Sequence, residues 1–315
     1  SQSTATPTGA WVSKASMPVT RSGNAVASIN GLLYAVGGTN YSCGAYATLE
    51  VYDPVTNAWT AKTSMAHARW GLSATVLNGT LYAAGGTDGC YTPNYGLSWL
   101  EAYNPATDAW STKASMPTSR YVFGFNAVNG LLYAIGVANN GSLTTVEAYD
   151  PAGNSWASKA SMPTARYSFA TGAVNNIIYA AGGSASPYNQ LEAYDTVANT
   201  WSTKTSMITA RDYLAGTVVD GLFYAIGGGS TSTSKIVEAY DPTSNTWATM
   251  PSMNINRNGP AVAAVNGTIY AVSGHNGTSP IATVEAWAPP IPHDTWQPTS
   301  TTGAPAARGT HSAVW

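Results

Sequence analysis

Short apolar segments alternate with turn-forming residues along the whole chain, and no segment approaches the roughly eighteen apolar residues that a membrane-spanning helix needs. Residues 25–36 are representative: they read AVASINGLLYAV, with Asn30-Gly31 between two apolar runs. Asn-Gly in this position is a strong hairpin signal, because both central residues of a type I′ turn need positive φ. The pattern predicts short β-strands joined by tight turns.

The same order of segments recurs six times. Tryptophans mark it at intervals of 45 to 51 residues, at positions 11, 59, 110, 156, 201 and 247. Each unit contains an arginine followed by small and apolar residues, an Asn-Gly-type turn, an LYAVGG-type segment, a variable loop, an LEVYD-type segment and a turn before the next tryptophan. We name the four predicted strands A to D in this order. Four strands in about 45 residues are typical of a β-propeller blade.

Residue size predicts where each strand lies in its blade. The six A strands are rich in glycine and alanine, which suits the innermost position, where backbones converge. The tryptophan-bearing D strand is then outermost. Its lysines would discourage pairing between molecules, and they recur at Lys14, Lys62, Lys113, Lys159 and Lys204. Six A strands predict an all-β, six-bladed propeller with four antiparallel strands per blade.

Three recurring motifs carry a resemblance to the kelch-repeat family, in particular to bacterial extracellular kelch proteins. They are the Gly-Gly pairs at 37–38, 85–86, 182–183 and 227–228, the Glu-x-Tyr-Asp segments ending at Asp53, Asp150, Asp195 and Asp241, and the tryptophan that follows each segment. The resemblance covers residues 11–287 and implies a six-bladed propeller. Two units depart from it, with Gly136-Val137 and Ser273-Gly274 in place of Gly-Gly and Trp287-Ala288 in place of Tyr-Asp.

The repeats divide the chain into an N-terminal linker (1–10), a propeller (11–287) and a C-terminal segment (288–315). The simplest ring uses the strand around Trp11 as the outer strand of the last blade. A competing candidate for that strand surrounds Trp296, with Arg308 in the expected order behind it. We expect residues 288–315 to form a linker and the start of a further repeat, which would belong to a longer parent chain.

Composition excludes several classes of function. The formal net charge is −2, and the sequence contains no basic run of the kind that binds nucleic acid. The four histidines show no metal-ligand spacing, and Gly227-Gly228-Gly229 opens no helix, so we predict neither a metal nor a cofactor.

The order of the strands predicts which face of the propeller binds a ligand. The arginines, the residues after them and the B–C loops should share one rim, which we call the top face, whereas the Asn-Gly and Asp-Pro turns should share the other. The top-face residues vary between repeats, as is usual where a rigid scaffold carries a binding site. The kelch resemblance implies the same face, because arginines and their successors contact ligands in protein-binding kelch domains. The predicted ligand-binding residues are Arg21, Arg69, Arg120, Arg166, Arg211 and Arg257, with Trp70, Tyr121, Tyr167, Asp212, Asn258, Tyr41, Tyr91, Tyr95, Trp99 and His275.

A structural interpretation of the arginines stays open. Each repeat also contains one glutamate, at Glu50, Glu101, Glu147, Glu192, Glu238 and Glu285. One buried Arg–Glu pair per blade would stabilise the fold and leave the arginines unavailable to a ligand.

The two cysteines predict a disulfide. Cys43 and Cys90 follow the first two Gly-Gly pairs and should lie in neighbouring B–C loops, which favours a disulfide and an oxidising compartment over two free thiols in the cytosol. We therefore expect an extracellular or cell-surface protein in which a thiol reagent labels no cysteine after denaturation without reductant. Labelling of both cysteines would contradict the disulfide.

The favoured function is a non-enzymatic binding module that recognises a glycan or an acidic protein segment on the top face. Two alternatives stay open. Asp212, His275 and Arg257 could serve a carbohydrate-active enzyme that acts on an acidic sugar, as the kelch-fold sialic acid mutarotases do. The propeller could instead be a structural spacer of a larger surface protein.

Overall fold

The computed structural model of this protein describes residues 9–40, 44–89, 96–136, 143–229 and 234–290. These residues form 24 β-strands in six four-stranded antiparallel sheets, and the described part contains no helix. Each sheet is one blade of a propeller, so the predicted all-β, six-bladed fold is confirmed.

The first three blades follow one another along the chain. Blade one contains β2 (Ala25–Ile29), β3 (Leu32–Val36), β4 (Leu49–Asp53) and β5 (Ala58–Lys62). Blade two contains β6 (Ser73–Leu77), β7 (Thr80–Ala84), β8 (Leu100–Asn104) and β9 (Ala109–Lys113). Blade three contains β10 (Gly124–Val128), β11 (Leu131–Ile135), β12 (Val146–Asp150) and β13 (Ser155–Lys159).

Two further blades repeat this order, and the last uses both ends of the propeller. Blade four contains β14 (Ala170–Val174), β15 (Ile177–Ala181), β16 (Leu191–Asp195) and β17 (Thr200–Lys204). Blade five contains β18 (Ala215–Val219), β19 (Leu222–Ile226), β20 (Val237–Asp241) and β21 (Thr246–Met250). Blade six contains β22 (Ala261–Val265), β23 (Thr268–Val272), β24 (Val284–Trp287) and the N-terminal strand β1 (Val12–Lys14).

The N-terminal strand closes the ring. β1 pairs antiparallel with β24, with Val12 opposite Ala286 and Lys14 opposite Val284. The strand beside Trp11 is therefore the outer strand of blade six, as predicted. The competing Trp296 lies outside the described residues.

The innermost strands of blades four and five approach each other too closely for a side chain at one position. A Cβ atom added to Gly216 of β18 would lie 2.4 Å from the main-chain oxygen of Thr171 in β14. Glycine at this position is required because the two backbones touch where neighbouring blades converge. The small residues of the A strands thus explain the predicted inner position, which the sheet order confirms.

The recurring tryptophans tie each blade to the one before it. Each indole N–H donates a hydrogen bond of 2.7–2.9 Å to the main-chain oxygen of a residue just past the outer strand of the preceding blade: Trp59 to Ala15, Trp110 to Thr63, Trp156 to Ala114, Trp201 to Ala160, Trp247 to Thr205 and Trp11 to Pro251. Trp11 makes this bond for blade six, so the N-terminal strand is linked to blade five by the same hydrogen bond as at every other junction.

A residue of each C–D turn supports the same junctions. The side-chain oxygen of Asn154 accepts hydrogen bonds from the hydroxyl of Tyr149 at 2.6 Å and from the main-chain N–H of Ala114 at 2.9 Å. The equivalent acceptors are Asn57, Asp108, Asn199 and Asn245. Pro251 occupies the donor position at the sixth junction, and proline has no N–H to donate.

Candidate functional site

The arginines and the B–C loops share one face, as strand order predicts. The Nη1 atom of Arg21 donates to the main-chain oxygen of Gly37 at 3.0 Å, and the N–H of Gly38 donates to the oxygen of Arg69 at 2.9 Å. The turns share the other face, where Thr196 of a C–D turn donates its N–H to Asn176 of an A–B turn. Tyr41, Tyr91, Tyr95, Cys43 and Cys90 lie outside the described residues, so their predicted roles stay predictions.

All six motif arginines lie beneath the top face. Their exposed fraction is 0–1%, and each forms a salt bridge with the glutamate of its own repeat: Arg21–Glu50, Arg69–Glu101, Arg120–Glu147, Arg166–Glu192, Arg211–Glu238 and Arg257–Glu285. Burial lowers the pKa of every one of these guanidinium groups, and the paired glutamate opposes that shift. The proposed contact between these arginines and a ligand therefore needs correction. The structural interpretation, one buried ion pair per blade, is the one that the geometry supports.

Blade two departs from this arrangement. In blades one, three and six a threonine two residues before the glutamate bonds the arginine, whereas blade two has Trp99 in that position. The Trp99 ring is half-buried and stacks on His67 with centroids 4.0 Å apart. Within the described part of the chain, the Nη1 atom of Arg69 has no hydrogen-bond partner, a feature that the other motif arginines do not share, and burial lowers the pKa of Arg69 to about 10. Trp99, a predicted ligand contact, thus packs against His67 of the link that precedes blade two.

The six residues that directly follow the motif arginines form a ring around the propeller axis on the top face, which we call the first ring. Ser22 is buried, Tyr167 is 37% exposed, and Trp70, Tyr121, Asp212 and Asn258 are half-buried. Three of them are fixed by bonds to B–C loops: Trp70 Nε1 donates to the oxygen of Gly89 at 3.0 Å, Asn258 Nδ2 to that of Gly229 at 2.9 Å, and Asp212 Oδ2 accepts from Ser184 Oγ at 2.9 Å. The structure therefore brings these predicted residues together on one surface.

Sequence analysis missed a second ring, one residue further on. Its members all have positive φ, between 51° and 63°: Gly23, Gly71, Val122, Ser168, Tyr213 and Gly259. Main-chain N–H groups link neighbours in this ring, from Gly71 to Gly23, Val122 to Gly71, Ser168 to Val122 and Gly259 to Tyr213. Glycine adopts this conformation freely, but a side chain there costs about 1–3 kcal/mol. Blades three to five have a side chain at this position and therefore carry this backbone strain, whereas blades one, two and six have glycine.

Tyr213 is the largest side chain of the second ring. It is 40% exposed, and its ring meets that of Tyr167 edge to face with centroids 6.4 Å apart. Burial raises the pKa of the Tyr213 hydroxyl, and the neighbouring Tyr167 adds to that shift. An alignment of the six repeats could have identified Tyr213, because three of the repeats have glycine at the equivalent position.

All six residues of the second ring line a central cavity of about 540 Å³, together with Ser22, Trp70 and Asn258 of the first ring, whereas Tyr121, Tyr167 and Asp212 lie outside this lining. Trp70, Val122, Ser168 and Tyr213 line its upper part, and the innermost strands form its wall. The cavity with its aromatic mouth is the candidate binding site.

The possible catalytic set Asp212, His275 and Arg257 lacks its cationic anchor. Arg257 is fully buried and bonds Glu285 through both Nε and Nη2. The Nδ1 atom of His275 accepts the N–H of Gly277 at 3.1 Å, within its own loop. The predicted grouping on one acidic sugar therefore needs correction, because Arg257 cannot reach a ligand on the face.

The described residues contain no group of three or more His, Cys, Asp or Glu side chains arranged to hold a metal ion. No helix in the same part of the chain is long and apolar enough to cross a membrane.

Six four-stranded blades, each with a buried Arg–Glu pair and a glycine-rich B–C connection, define a β-propeller of the kelch type. The Kelch motif family matches this chain six times, at residues 20–66, 69–117, 119–163, 165–208, 210–254 and 256–301, and the chain belongs to this family. The solved structure of YjhT is similar, with a TM-score of 0.72 and 15% sequence identity over 85% of this chain and 95% of that chain. At this identity the similarity shows the fold alone. The family fold is consistent with a binding module, and Kelch propellers commonly bind protein partners.

Proposed function

We propose that this protein is a non-enzymatic, extracellular binding module that holds a glycan over the mouth of its central cavity. The observation that carries the proposal is the half-exposed aromatic arc formed by Trp70, Tyr121, Tyr167 and Tyr213 on the variable face of a rigid ring. The extracellular location rests on the predicted disulfide between Cys43 and Cys90.

Aromatic side chains suit this role because they are large, rigid and amphipathic. Tyrosine and tryptophan offer extensive contact area with few torsions to immobilise, and their polar atoms bond hydroxyl groups. The C–H faces of a sugar ring can pack on such rings while its hydroxyls meet the polar rim. Trp70 is already held by its bond to Gly89, which lowers the entropic cost of binding.

Burial of the arginines favours a glycan over an acidic protein segment. Arginine recognises carboxylates through two parallel N–H donors, which requires an accessible guanidinium group. All six motif arginines are 0–1% exposed and already paired, so none offers that contact. The enzyme alternative loses Arg257 for the same reason, and the spacer alternative is the outcome expected if no ligand binds.

Replacing Trp70 or Tyr121 with alanine is expected to weaken glycan binding at least about tenfold, which is the loss typical of an aromatic residue that a ligand covers on binding. Binding would be found on a glycan array and then measured by calorimetry on the array's strongest ligand. The matched control is Val197→Ala, because Val197 is 71% exposed in a C–D turn on the opposite face.

Unfolding midpoints of all three variants separate lost binding from lost folding. Retention of full affinity in folded Trp70→Ala and Tyr121→Ala proteins would remove the aromatic arc from the site. Failure of the wild-type protein to bind any glycan would overturn the proposed function.

A further inference from the structure

The mouth of the cavity is not symmetric, and its asymmetry identifies a class of ligand; this inference rests on the proposed function. On one side, blades six and one present Asn258-Gly259 and Ser22-Gly23. Around the rest of the mouth, blades two to five each carry an aromatic side chain in the same register, and the neighbouring blades four and five present Tyr167-Ser168 and Asp212-Tyr213. The larger side chains are thus confined to four consecutive blades.

Backbone strain indicates that the Tyr213 side chain is retained for function. Tyr213 has φ 51°, a conformation that three other blades give to glycine. Glycine at this position would relieve the strain, yet the chain holds a tyrosine that is 40% exposed and therefore contributes little to the core. Side chains held in such conformations cluster at binding sites, where the strain keeps a group in place.

Tyr213 and Tyr167 form a corner rather than a flat surface. Their rings meet at 83° with centroids 6.4 Å apart, and Tyr167 is 37% exposed. Two aromatic walls at a right angle fit one sugar ring, which can stack on one wall and touch the edge of the other.

A carboxylate lies beside this corner. Asp212 is the residue directly before Tyr213 and is half-buried, and its Oδ2 atom accepts a hydrogen bond from Ser184 Oγ at 2.9 Å. A carboxylate has about four acceptor positions, so a single bond leaves capacity for hydroxyl or amino donors of a ligand. Such charge-assisted bonds are stronger than neutral ones.

Positive charge that would attract an acidic ligand is scarce near this corner. Among the described residues, the six motif arginines are buried in ion pairs, and five of the six lysines lie on the outer strands. Lys235, at the end of the β19–β20 loop, is exposed on the top face, as is Asp88 in the β7–β8 loop. Asp88 belongs to blade two and Lys235 to blade five, so Asp212 is the carboxylate beside the corner and Lys235 is the exposed cation of the same blade.

We propose that Tyr167, Asp212 and Tyr213 form a subsite for a non-acidic sugar ring, either neutral or amino-bearing, and that Asp212 disfavours carboxylated and sulfated sugars. Asp212 accepts hydrogen bonds from the hydroxyl or amino groups of the ring, and the two tyrosines contact its C–H faces. An anionic group placed there would meet the carboxylate, and like charges in contact oppose binding.

The charge class of the ligands tests this subsite directly. On an array that carries neutral, amino, carboxylated and sulfated glycans, we expect binding only to the neutral and amino members. Asp212→Asn should weaken that binding about tenfold, as expected for a lost charge-assisted hydrogen bond, and should reduce the discrimination against acidic glycans. Ligands confined to acidic glycans would overturn the subsite while leaving the binding module intact. An array with no ligand would overturn the proposed function and this inference with it.

The backbone strain at Tyr213 allows a second test, whose expected result a purely structural role for Tyr213 would not produce. Tyr213→Gly should lose at least tenfold in affinity while its unfolding midpoint stays equal or rises, because glycine adopts the positive φ without cost. The matched control is Asn175→Gly, which replaces another residue of positive φ, 54°, in the exposed A–B turn of blade four. That turn lies on the opposite face, away from the mouth of the cavity, so this variant should keep its affinity within threefold. Equal losses of affinity in both variants, or a large fall in the midpoint of Tyr213→Gly, would contradict the assignment.

Discussion

Replacing Arg166 with alanine is expected to lower the free energy of unfolding by about 3–5 kcal/mol, because it leaves a buried charge without its partner. Glu192 is 3% exposed and depends on Arg166 for its ion pair. The same guanidinium group donates to the main-chain oxygens of Gly182 and Gln190, so two buried acceptors also lose a donor. Equilibrium denaturation in urea, followed by tryptophan fluorescence, measures the loss.

A double variant separates the charge effect from the loss of packing. Arg166→Met combined with Glu192→Leu removes both charges and keeps most of the volume, so we expect it to recover most of the stability. A single Arg166→Ala variant within about 1 kcal/mol of the wild type would show that the pair contributes no more than an exposed one. If that stable variant had also lost glycan binding, Arg166 would be a ligand contact after all.

The arginines show where sequence reasoning ends. The pattern of one arginine and one glutamate per repeat predicts an ion pair, and the kelch resemblance implies a ligand contact, so both interpretations follow from the same residues. They differ only in whether the side chain turns into the blade or out of it. That direction depends on the acceptors that the fold assembles around it, such as the oxygens of Gly37 and Gly182, and these come from another part of the repeat.

The strands and their order were predictable because each depends on local chemistry. Asn30-Gly31 adopts the two positive φ values, 50° and 79°, that a type I′ hairpin needs, and the same pair recurs at Asn78-Gly79. The glycine and alanine content of the A strands then places them at the axis. Strand polarity follows, and with it the face that carries Trp70 and Tyr121.

The second ring was harder to predict because its signal is a departure from the repeat. Glycine at positions 23, 71 and 259 indicates a positive φ two residues after the arginine, and Val122, Ser168 and Tyr213 then occupy a conformation that their sequence does not suggest. An alignment of the six repeats would have shown that these three residues occupy the position of the glycines. They could not have shown that Tyr213 meets Tyr167 at a right angle, since that geometry depends on how blades four and five pack.

Ring closure has two candidates in the sequence, because Trp296 also fits the repeat, although the strand around Trp11 gives the simplest ring. The contacts of Trp11 decide between them. Its indole donates to the oxygen of Pro251 at 2.8 Å, its main-chain oxygen accepts from Asn254 Nδ2 at 2.8 Å, and its ring lies 5.9 Å from that of Trp287. Trp287 replaces the usual tyrosine of its strand, and it fills the space beside Trp11.

Replacing Trp11 with alanine is expected to lower the free energy of unfolding by about 3–5 kcal/mol, the range for a tryptophan lost from a core. Trp11 is 4% exposed, and the strand that follows it has only three residues. The bonds of Ala15 to Asn57 and Trp59 hold the other end of the strand, so the loss of Trp11 should release its N-terminal end from β24. Urea denaturation measures the stability, and hydrogen exchange of the β24 amides reports the release of the strand.

Trp201→Ala is the matched control, because Trp201 makes the same bond, to Ala160, within a blade whose four strands follow one another along the chain. It is half-buried, so its removal should cost less, and β16 should keep its protection because the short C–D turn still holds β17 beside it. Blade six has no such connection between β24 and β1, which lie at opposite ends of the propeller sequence. Loss of Trp11 therefore opens the ring, whereas loss of Trp201 only weakens one junction. Equal costs for the two variants, with β24 still protected in Trp11→Ala, would show that β1 is held by its backbone pairing rather than by its tryptophan.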